Sequence, residues 1–203
     1  IGIREDQLEE YAQVLRLLFD PDVKRADFAG KHYQLHDAPC NPKPLQKRLR
    51  IWIGGGGEKR TLRAVARYAD GWNTPYLGPD AWKAKSAILD RWCEKEGRDP
   101  KTVLRTANVG FYLGADARGA ARAEELFQTH FGKDPQGRTG FLRGTPKDVL
   151  DMIGAYRDAG VQRLNIGMRQ GPYDWEALQA YAETVLAAFG ATVARKERGQ
   201  VRQ

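Results

Sequence analysis

Short β-rich runs alternate with amphipathic helical patterns along this chain, and this alternation limits the fold more than any other feature of the sequence. After an N-terminal helix predicted over Arg4–Phe19, four such runs are each followed by a helical pattern. The runs are Ile51–Ile53, Trp72–Asn73, Val103–Leu113 and Val161–Met168. Repetition of this kind favours an α/β fold with a parallel sheet, because parallel strands need a crossover connection. Four units make half of a (β/α)8 barrel, and a four-stranded doubly wound sheet is the competing topology.

The segment before the first run departs from the repeat. Residues 26–50 have no helical period, and Phe28, the turn at Ala29–Lys31 and the apolar Leu35 predict a short hairpin. The prolines between Pro39 and Pro44 then favour an extended or irregular path. We therefore expect a hairpin and loop insertion ahead of the first strand of the repeat.

Helix ends and large aromatic residues can be predicted from local chemistry. Thr145, Pro146 and Asp148 form a strong helix start, and Asp174 is expected to cap the last helix. Phe141–Leu142 is expected to be only a brief extended piece. We expect all five tryptophans in the core, because large aromatic side chains dominate core area. They are Trp52, Trp72, Trp82, Trp92 and Trp175, the last on the apolar face of the final helix.

The positive charge is concentrated around one turn. The net charge is +7, and residues 41–70 contain eight Lys or Arg residues against Glu58 and Asp70. This segment shows neither interleaved aromatic residues nor a known nucleic-acid-binding module, so we expect no nucleic-acid partner. A second basic cluster lies in residues 191–203, which we expect to be a disordered tail after a domain spanning residues 1–190.

The composition favours a cytoplasmic protein. No apolar run reaches the length of about 18 residues that a membrane-spanning helix needs, and no signal peptide is recognised. Cys40 and Cys93 are expected to be reduced thiols, because two isolated cysteines make no disulfide framework. The chain starts with Ile1 rather than Met, and we therefore expect further sequence upstream.

Four consecutive glycines, Gly54–Gly57, follow the first run and precede a helix. Glycine lets the backbone approach a ligand closely, and a helix N-terminus attracts phosphate. A P-loop would need glycine where Glu58 stands, and the dinucleotide fingerprint would need glycine where Lys59 stands. The turn is therefore either a phosphate site of another type or a tight connection required by packing alone.

Other chemistry-bearing residues give weaker indications. His32 and His36 are four residues apart, but they lie in the hairpin segment with no further ligand at suitable spacing, so we expect no metal site. His130 is expected to be an ordinary helical histidine. No nucleophile with a nearby base and no suitable carboxylate pair is recognised, and no catalytic residue is assigned.

Three stretches resemble luciferase-like oxidoreductases, particularly those that use coenzyme F420. The most specific is RIWIGGGGEKRTLRAVARYADGWN, residues 50–73. FAGKHYQLHDAPCNPKPLQ, residues 28–46, precedes it as in that family. GTPKDVLDMIGAYRDAGVQRLNIGM, residues 144–168, resembles the family's penultimate helix and last barrel strand. The order and spacing fit from about Gly2 to Phe189.

The resemblance implies the C-terminal half of a TIM barrel of the bacterial-luciferase type. Strands five to eight of that barrel would be Arg50–Gly54, Gly71–Thr74, Val103–Leu113 and Arg163–Met168. It also implies a cofactor, F420 or alternatively FMN, bound at the carboxyl ends of the strands. The resemblance further implies which residues line the cofactor phosphate or tail. They are Gly54, Gly55, Gly56, Gly57, Glu58, Lys59, Arg60, Thr61, Trp72 and Asn73.

The sequence departs from the family in lacking the first four strand–helix units, where the resemblance places much of the ring pocket, the substrate pocket and the acid–base residues. Three readings of the activity remain. The first is hydride transfer with F420 on an organic substrate that the sequence does not identify. The second is an FMN-dependent monooxygenase. The third is a catalytically incomplete half-barrel that acts only after pairing with a copy of itself or with a complementary half.

Overall fold

Helices and strands alternate through residues 2–133, 139–168 and 175–189, which the computed structural model describes. The helices are α1 (Gly2–Phe19), α2 (Thr61–Tyr68), α3 (Pro79–Lys95), α4 (Ala117–Phe131), α5 (Pro146–Asp158) and α6 (Trp175–Ala180), and a π-helical stretch follows over Tyr181–Leu186. The strands are β1 (Arg25–Ala29), β2 (Gln34–Pro39), β3 (Trp52–Gly54), β4 (Gly71–Pro75), β5 (Leu104–Leu113), β6 (Phe141–Gly144) and β7 (Arg163–Met168).

The strands form two sheets. Strands β1 and β2 pair antiparallel as a separate hairpin, which confirms the predicted insertion. The other five form one sheet in the order β3-β4-β5-β6, with β7 also pairing with β5. Strands β3 and β4 are parallel with Gly54 opposite Asn73, and β5 and β6 are parallel with Leu113 opposite Gly144. The prediction of an α/β fold with a parallel sheet is therefore confirmed.

Strand β6 is the main difference from the predicted elements. The sequence indicated a brief extended piece at Phe141–Leu142, whereas the strand continues to Gly144 and pairs with β5. A four-residue strand is too short to show a periodic pattern, so its pairing could not be predicted. The other strands of this sheet begin and end within two residues of the predicted bounds.

The prediction that all five tryptophans are buried is confirmed only for Trp72 and Trp82, which are fully buried. Trp92 is half-buried, Trp52 is 37% exposed and Trp175 is 68% exposed. The Trp52 ring lies over Gly71 on the neighbouring strand, where an added Cβ would be 2.6 Å from the ring. Its indole therefore covers the surface of the sheet. Asp174 and the tail from residue 191 lie outside the described residues, and the domain division at residue 190 stays a prediction.

The described residues divide into two compact units. The first combines the residues up to Thr74 with Lys83–Thr106, and its core includes the predicted stripe of α2. Leu62, Val65, Ala66 and Ala69 of that stripe are all fully buried. The second combines Pro75–Trp82 with the residues from Ala107 onward. Its aromatic cluster consists of Tyr112, Phe127 and Phe141 with Tyr76 and Phe131 packed against them.

The predicted start of α5 is confirmed in detail. Thr145 accepts a hydrogen bond from the Asp148 backbone, and the Asp148 carboxylate accepts one from the Thr145 backbone N–H at 2.8 Å. Pro146 occupies the first turn, where its missing N–H is not needed. The capping box therefore fixes the beginning of this helix.

A carboxylate of α1 anchors the hairpin. Glu10 accepts hydrogen bonds from the backbone N–H groups of Lys31, His32 and Tyr33 at 2.9, 2.8 and 3.0 Å. Desolvation acts to raise the pKa of the Glu10 carboxyl, but these donors outweigh it and hold the pKa below its usual value. The β1–β2 connection is thereby attached to the first helix.

Asp70 joins three parts of the first unit. Its carboxylate accepts hydrogen bonds from the backbone N–H of Ile51 at 2.8 Å and from Nε of Arg48 at 3.0 Å. It also pairs with Arg16 of α1, whose guanidinium donates to the carbonyls of Tyr68 at 2.8 Å and Leu49 at 3.1 Å. Burial acts to raise the pKa of Asp70, but the Ile51 N–H and the two guanidinium groups lower it overall. The end of α2, the start of β3 and helix α1 therefore meet at one charge.

We expect the substitution Asp70→Ala to lower the free energy of unfolding by about 3 kcal/mol, because it leaves Arg16 without its carboxylate and Ile51 without an acceptor. Asp70→Asn keeps an acceptor and should cost about 1–2 kcal/mol. Urea denaturation at neutral pH measures both.

The lowered pKa of Asp70 also makes the free energy of unfolding depend on pH. Its stabilising contribution is fully present above the pKa of the unfolded state and is lost as pH falls through the pKa of the folded state. The difference between the parent and Asp70→Asn should therefore shrink below pH 3.8, the usual value of an Asp carboxyl.

The control is Asp151→Ala, which breaks the exposed Lys147–Asp151 pair and should leave the free energy of unfolding unchanged. Equal effects of Asp70→Ala and Asp151→Ala would contradict the central role of Asp70.

Candidate functional site

The glycine turn connects the carboxyl end of β3 to α2. Gly55 has a φ of 122°, in the region that favours glycine, and its N–H donates to the Asn73 carbonyl at 2.9 Å. The chain then turns through Glu58–Arg60 and enters α2 at Thr61, with the Leu62 N–H donating to the Gly57 carbonyl at 3.0 Å. The turn is thus held to the adjacent strand on one side and to the helix on the other.

Trp72 supports this turn from the interior. Its indole Nε1 donates to the Gly55 carbonyl at 2.7 Å, and its side chain is fully buried. The Thr106 hydroxyl lies 2.9 Å from both the Trp72 carbonyl and Oδ1 of Asn73. A direct contact between Trp72 or Asn73 and a cofactor stays a prediction. Their described contacts show that they position the backbone of the turn.

The four glycines are not equally required by the fold. Gly55 needs its positive φ, and a Cβ on Gly57 would lie 2.7 Å from the Thr61 hydroxyl. At Gly54 and Gly56, by contrast, a Cβ would make only ordinary contacts. Packing does not explain glycine at these two positions, whereas close approach of a ligand to the backbone would.

Thr74 and Lys85 flank Gly56. A Cβ on Gly56 would lie 3.7 Å from the Thr74 hydroxyl and 3.9 Å from Cε of Lys85. Thr74 is a buried residue near the carboxyl end of β4, and Lys85 lies on α3. A hydroxyl donor and an ammonium group therefore flank a glycine backbone, and these are groups that bind a phosphate.

Glu58 is engaged by α3. Its carboxylate pairs with the Lys85 ammonium at 2.6 Å, and its carbonyl accepts a hydrogen bond from Nε1 of Trp92 at 2.7 Å. The hydrogen bond from Lys85 lowers the pKa of Glu58. Glu58, predicted as a cofactor-lining residue, is thus the counterion of Lys85 in this structure.

The remaining predicted residues differ in their surroundings. Lys59 is exposed, and Arg60 lies 3.7 Å from Asp6 of α1. Arg60 occupies the N-cap position of α2 but contributes no capping hydrogen bond from its side chain in the part of the chain that is described. The first turn of α2 therefore does not have the side-chain cap that α5 has.

Sequence reasoning missed both Thr74 and Lys85. Thr74 adjoins the predicted Trp72–Asn73 pair, so its position at a strand end was an available signal. Lys85 lies inside an amphipathic helix with no local motif, and only the packing of α3 brings it to the turn.

Among the described residues no group of three or more His, Cys, Asp or Glu side chains could hold a metal ion. His130 lies with its Nδ1 2.8 Å from the Tyr112 hydroxyl, at the aromatic cluster of the second unit. In the described part of the chain, no helix combines the length and apolarity needed to cross a bilayer.

A parallel α/β chain with a glycine turn at a strand's carboxyl end and a cation beside it belongs to the class of folds in which ligand sites form at the carboxyl ends of the strands. The family model described as luciferase-like monooxygenase matches residues 3–143. The chain belongs to this family, which confirms the resemblance seen in the sequence.

Curated relatives include pyrimidine monooxygenases. The pyrimidine monooxygenase RutA of Stutzerimonas stutzeri is 38% identical over 131 residues, which cover 61% of this chain and 33% of that protein. An uncharacterised protein of Mycobacterium tuberculosis, Rv0953c, is 29% identical over 98 residues, which cover 48% of this chain and 34% of that protein. The chain spans about a third of the length of the curated relatives it matches.

Solved structures share the fold. An F420-dependent secondary alcohol dehydrogenase in complex with an F420-acetone adduct is 18% identical with a TM-score of 0.72, covering 91% of this chain and 62% of that one. The long-chain alkane monooxygenase LadA is 17% identical with a TM-score of 0.73, covering 95% and 57%. A riboflavin lyase with modified FMN is 14% identical with a TM-score of 0.71, covering 97% and 58%. These likenesses show that the chain shares the TIM-barrel fold of these proteins over the part of their length that it covers.

We expect Trp72→Phe to loosen the turn, because it leaves the Gly55 carbonyl without its indole donor. The free energy of unfolding should fall by about 2 kcal/mol, the sum of a lost buried hydrogen bond and lost volume. Amide hydrogen exchange should also quicken at Gly55. Trp175→Phe, at an exposed position, is the control and should change neither quantity. Unchanged exchange at Gly55 in Trp72→Phe would show that the indole does not hold the turn.

Proposed function

We propose that this chain carries the cofactor-phosphate site of a flavin-dependent monooxygenase, with FMN as the cofactor. The observation that carries the proposal is the space at Gly56, where the fold does not require glycine and where Thr74 and Lys85 converge. A phosphate oxygen that occupied this space would meet backbone, hydroxyl and ammonium groups together. The resemblance of residues 50–73 to the family supports the same assignment.

The fit is chemical as well as steric. A phosphate monoester carries nearly two negative charges at neutral pH and accepts several hydrogen bonds. Lys85 supplies a full positive charge, Thr74 a hydroxyl donor, and the turn lies next to the N-terminal end of α2. Glu58 holds the Lys85 ammonium close to the turn at 2.6 Å. The residues present therefore suit a phosphate better than a neutral ligand.

When bound, the flavin supplies the redox chemistry, and the residues of this chain bind and orient it. Trp72 and the Asn73 carbonyl fix Gly55, so that the turn is formed before a ligand arrives. Such preorganisation places the phosphate end and limits where the rest of the cofactor can lie. No acid–base residue is assigned in the described part of this chain.

The similarity to pyrimidine monooxygenase RutA favours oxygenation over hydride transfer. That relative is 38% identical, whereas the F420-dependent dehydrogenase is 18% identical. Hydride transfer with coenzyme F420 is the second candidate, supported by the similarity of residues 50–73 to F420-dependent members of the family. Both cofactors carry a phosphate, and the glycine turn suits either.

The phosphate site predicts a specific effect of Gly56→Ala. The added methyl group has room in the fold but occupies the space between Thr74 and Lys85, so we expect FMN affinity to fall at least tenfold with unchanged thermal stability. Isothermal titration of the native protein that contains this chain measures the affinity. The matched control is Gly154→Ala in α5, where a Cβ meets nothing within 4 Å. Unchanged affinity in Gly56→Ala would refute the assigned site.

Lys85→Met tests the charge at the same site. Loss of the ammonium group should weaken FMN at least tenfold and reduce the dependence of binding on salt concentration, because one ion pair with the phosphate is lost. The control is Arg67→Met, which removes a cation of the basic segment at residues 41–70 that pairs with Glu9 and Glu96. It should leave FMN affinity within about twofold. Equal effects of the two variants would indicate general attraction by positive charge.

The choice of cofactor is tested by titrating the native protein separately with FMN and with F420, followed by absorbance. We expect saturation with FMN and oxygen-dependent turnover. Saturation with F420 alone would establish the second candidate, and binding of neither would contradict both.

The pairing of half-barrels is a third proposal. If the native protein contains no further strand–helix units, unpaired strand edges should drive the 203-residue chain to associate. Sedimentation should then show a dimer or larger species, and a stable folded monomer would exclude pairing.

A further inference from the structure

The hydroxyl group of Tyr112 lies in the second unit beside a base. Tyr112 is near the carboxyl end of β5, and its side chain is fully buried. Its hydroxyl oxygen lies 2.8 Å from Nδ1 of His130 on α4. His130 itself is exposed, so its ring connects the buried phenol to the solvent. The proposed phosphate site uses neither residue.

Aromatic rings enclose the Tyr112 ring. Phe127, Phe141 and Phe131 contact it edge-on, with 5.2, 6.2 and 6.4 Å between ring centroids. Among the described residues of this cluster there is no Trp, Cys or Met, the side chains that compete with tyrosine for oxidation. Tyr76 is the cluster's second phenol, and it is only partly buried. Because phenylalanine is much harder to oxidise than a phenol, electron loss from the buried part of this cluster would fall on Tyr112.

The base beside Tyr112 determines whether electron loss is possible in an apolar core. An oxidised phenol is a very strong acid, and an isolated positive charge is costly away from water. The hydroxyl proton must therefore leave with the electron, and it can move only to an acceptor within about 2.6–3.2 Å. Nδ1 of His130 meets this condition when the neutral imidazole carries its hydrogen on Nε2. Imidazole both accepts and releases protons near neutral pH.

Tyr156 provides a comparison within the same unit. It is the other fully buried tyrosine among the described residues. Its hydroxyl donates to the backbone carbonyl of Leu77 at 2.7 Å. A carbonyl accepts a hydrogen bond but does not take up the proton. Two equally buried phenols therefore differ in whether the hydrogen-bond partner is a base.

We propose that Tyr112 and His130 form a one-electron redox site that consumes radical oxidants. A diffusing oxidant of the oxygen-radical class removes one electron from Tyr112, and the hydroxyl proton passes to Nδ1 of His130. The products are a neutral tyrosyl radical, an exposed imidazolium and the reduced oxidant. A one-electron reductant of the ascorbate class then returns the electron, and the proton moves back from His130 to the phenolic oxygen. The enclosing phenylalanine rings keep the radical from coupling to another tyrosine.

The test oxidises the native protein that contains this chain with a ruthenium(III) polypyridyl complex and freezes the mixture for electron paramagnetic resonance. We expect a neutral tyrosyl radical that persists after the radicals on exposed tyrosines have coupled. Tyr112→Phe should lose this persistent signal. Tyr156→Phe is the matched control for a buried phenol and Tyr76→Phe the control for the second phenol of the cluster, and both should keep the signal.

His130→Gln separates proton transfer from hydrogen bonding, because a glutamine carbonyl accepts a hydrogen bond but not a proton. The yield of the persistent radical should fall by about tenfold. Free imidazole should restore the yield in His130→Ala, where it can reach the phenol from the solvent, but not in Tyr112→Phe. Since His130 is exposed, its variants should fold even if Tyr112→Phe does not.

The outcomes that would overturn the proposal are distinct from failure of the phosphate site, since no step involves FMN. They are absence of a persistent tyrosyl radical in the parent, an undiminished signal in Tyr112→Phe or His130→Gln, and loss of the signal in Tyr156→Phe or Tyr76→Phe. Thermal unfolding of each variant shows whether a lost signal reflects a lost fold.

Discussion

The carboxylate of Asp70 is the interaction on which the first unit depends. It lies between α2 and β4 in the sequence, and it accepts hydrogen bonds from the first residue before β3 and from two arginines. The Asp70 backbone also takes part, since its N–H donates to the Ile51 carbonyl at 2.8 Å and its carbonyl accepts from the Leu104 N–H at 2.9 Å. The beginnings of three strands are therefore aligned by one residue. Because β3 and β4 are parallel and paired in register, their carboxyl ends lie at the same edge of the sheet.

The glycine turn lies at that carboxyl edge, and its form is set by the strand beside it. Trp72 and Asn73 supply the donor and acceptor that fix Gly55, so the backbone is held from β4 and not from the turn itself. This arrangement leaves Gly56 with space that the fold does not use. A tight connection required by packing alone would explain Gly55 and Gly57 but not Gly56. The contacts at Gly56 therefore support the explanation by a phosphate site, which stays a proposal.

Most of the fold could be predicted because strand and helix periodicity are local properties of the sequence. The stripe of α2 and the capping box of α5 were recognisable from a few neighbouring residues. The strand β6 could not be predicted, since four residues carry no period and their pairing with β5 is a long-range contact. The burial of Trp52 was predicted wrongly for a similar reason. Its ring lies over Gly71 of the neighbouring strand, which is a contact that the local sequence does not show. At the site, the glycines could be found by motif, whereas Lys85 is brought there by helix packing.

The ion pair between Glu58 and Lys85 has a consequence for how an anion is captured. The Lys85 ammonium is already paired with a carboxylate, so an incoming phosphate would exchange one anion for another instead of displacing water alone. The net gain is then the difference between two ion pairs, which is smaller than the strength of either. A weakly basic, singly charged anion such as chloride gains little from this exchange, whereas a dianion gains more. The Glu58 carboxylate would therefore compete with a bound anion for Lys85. This competition would make the glycine turn selective among anions and would keep its ligand exchangeable.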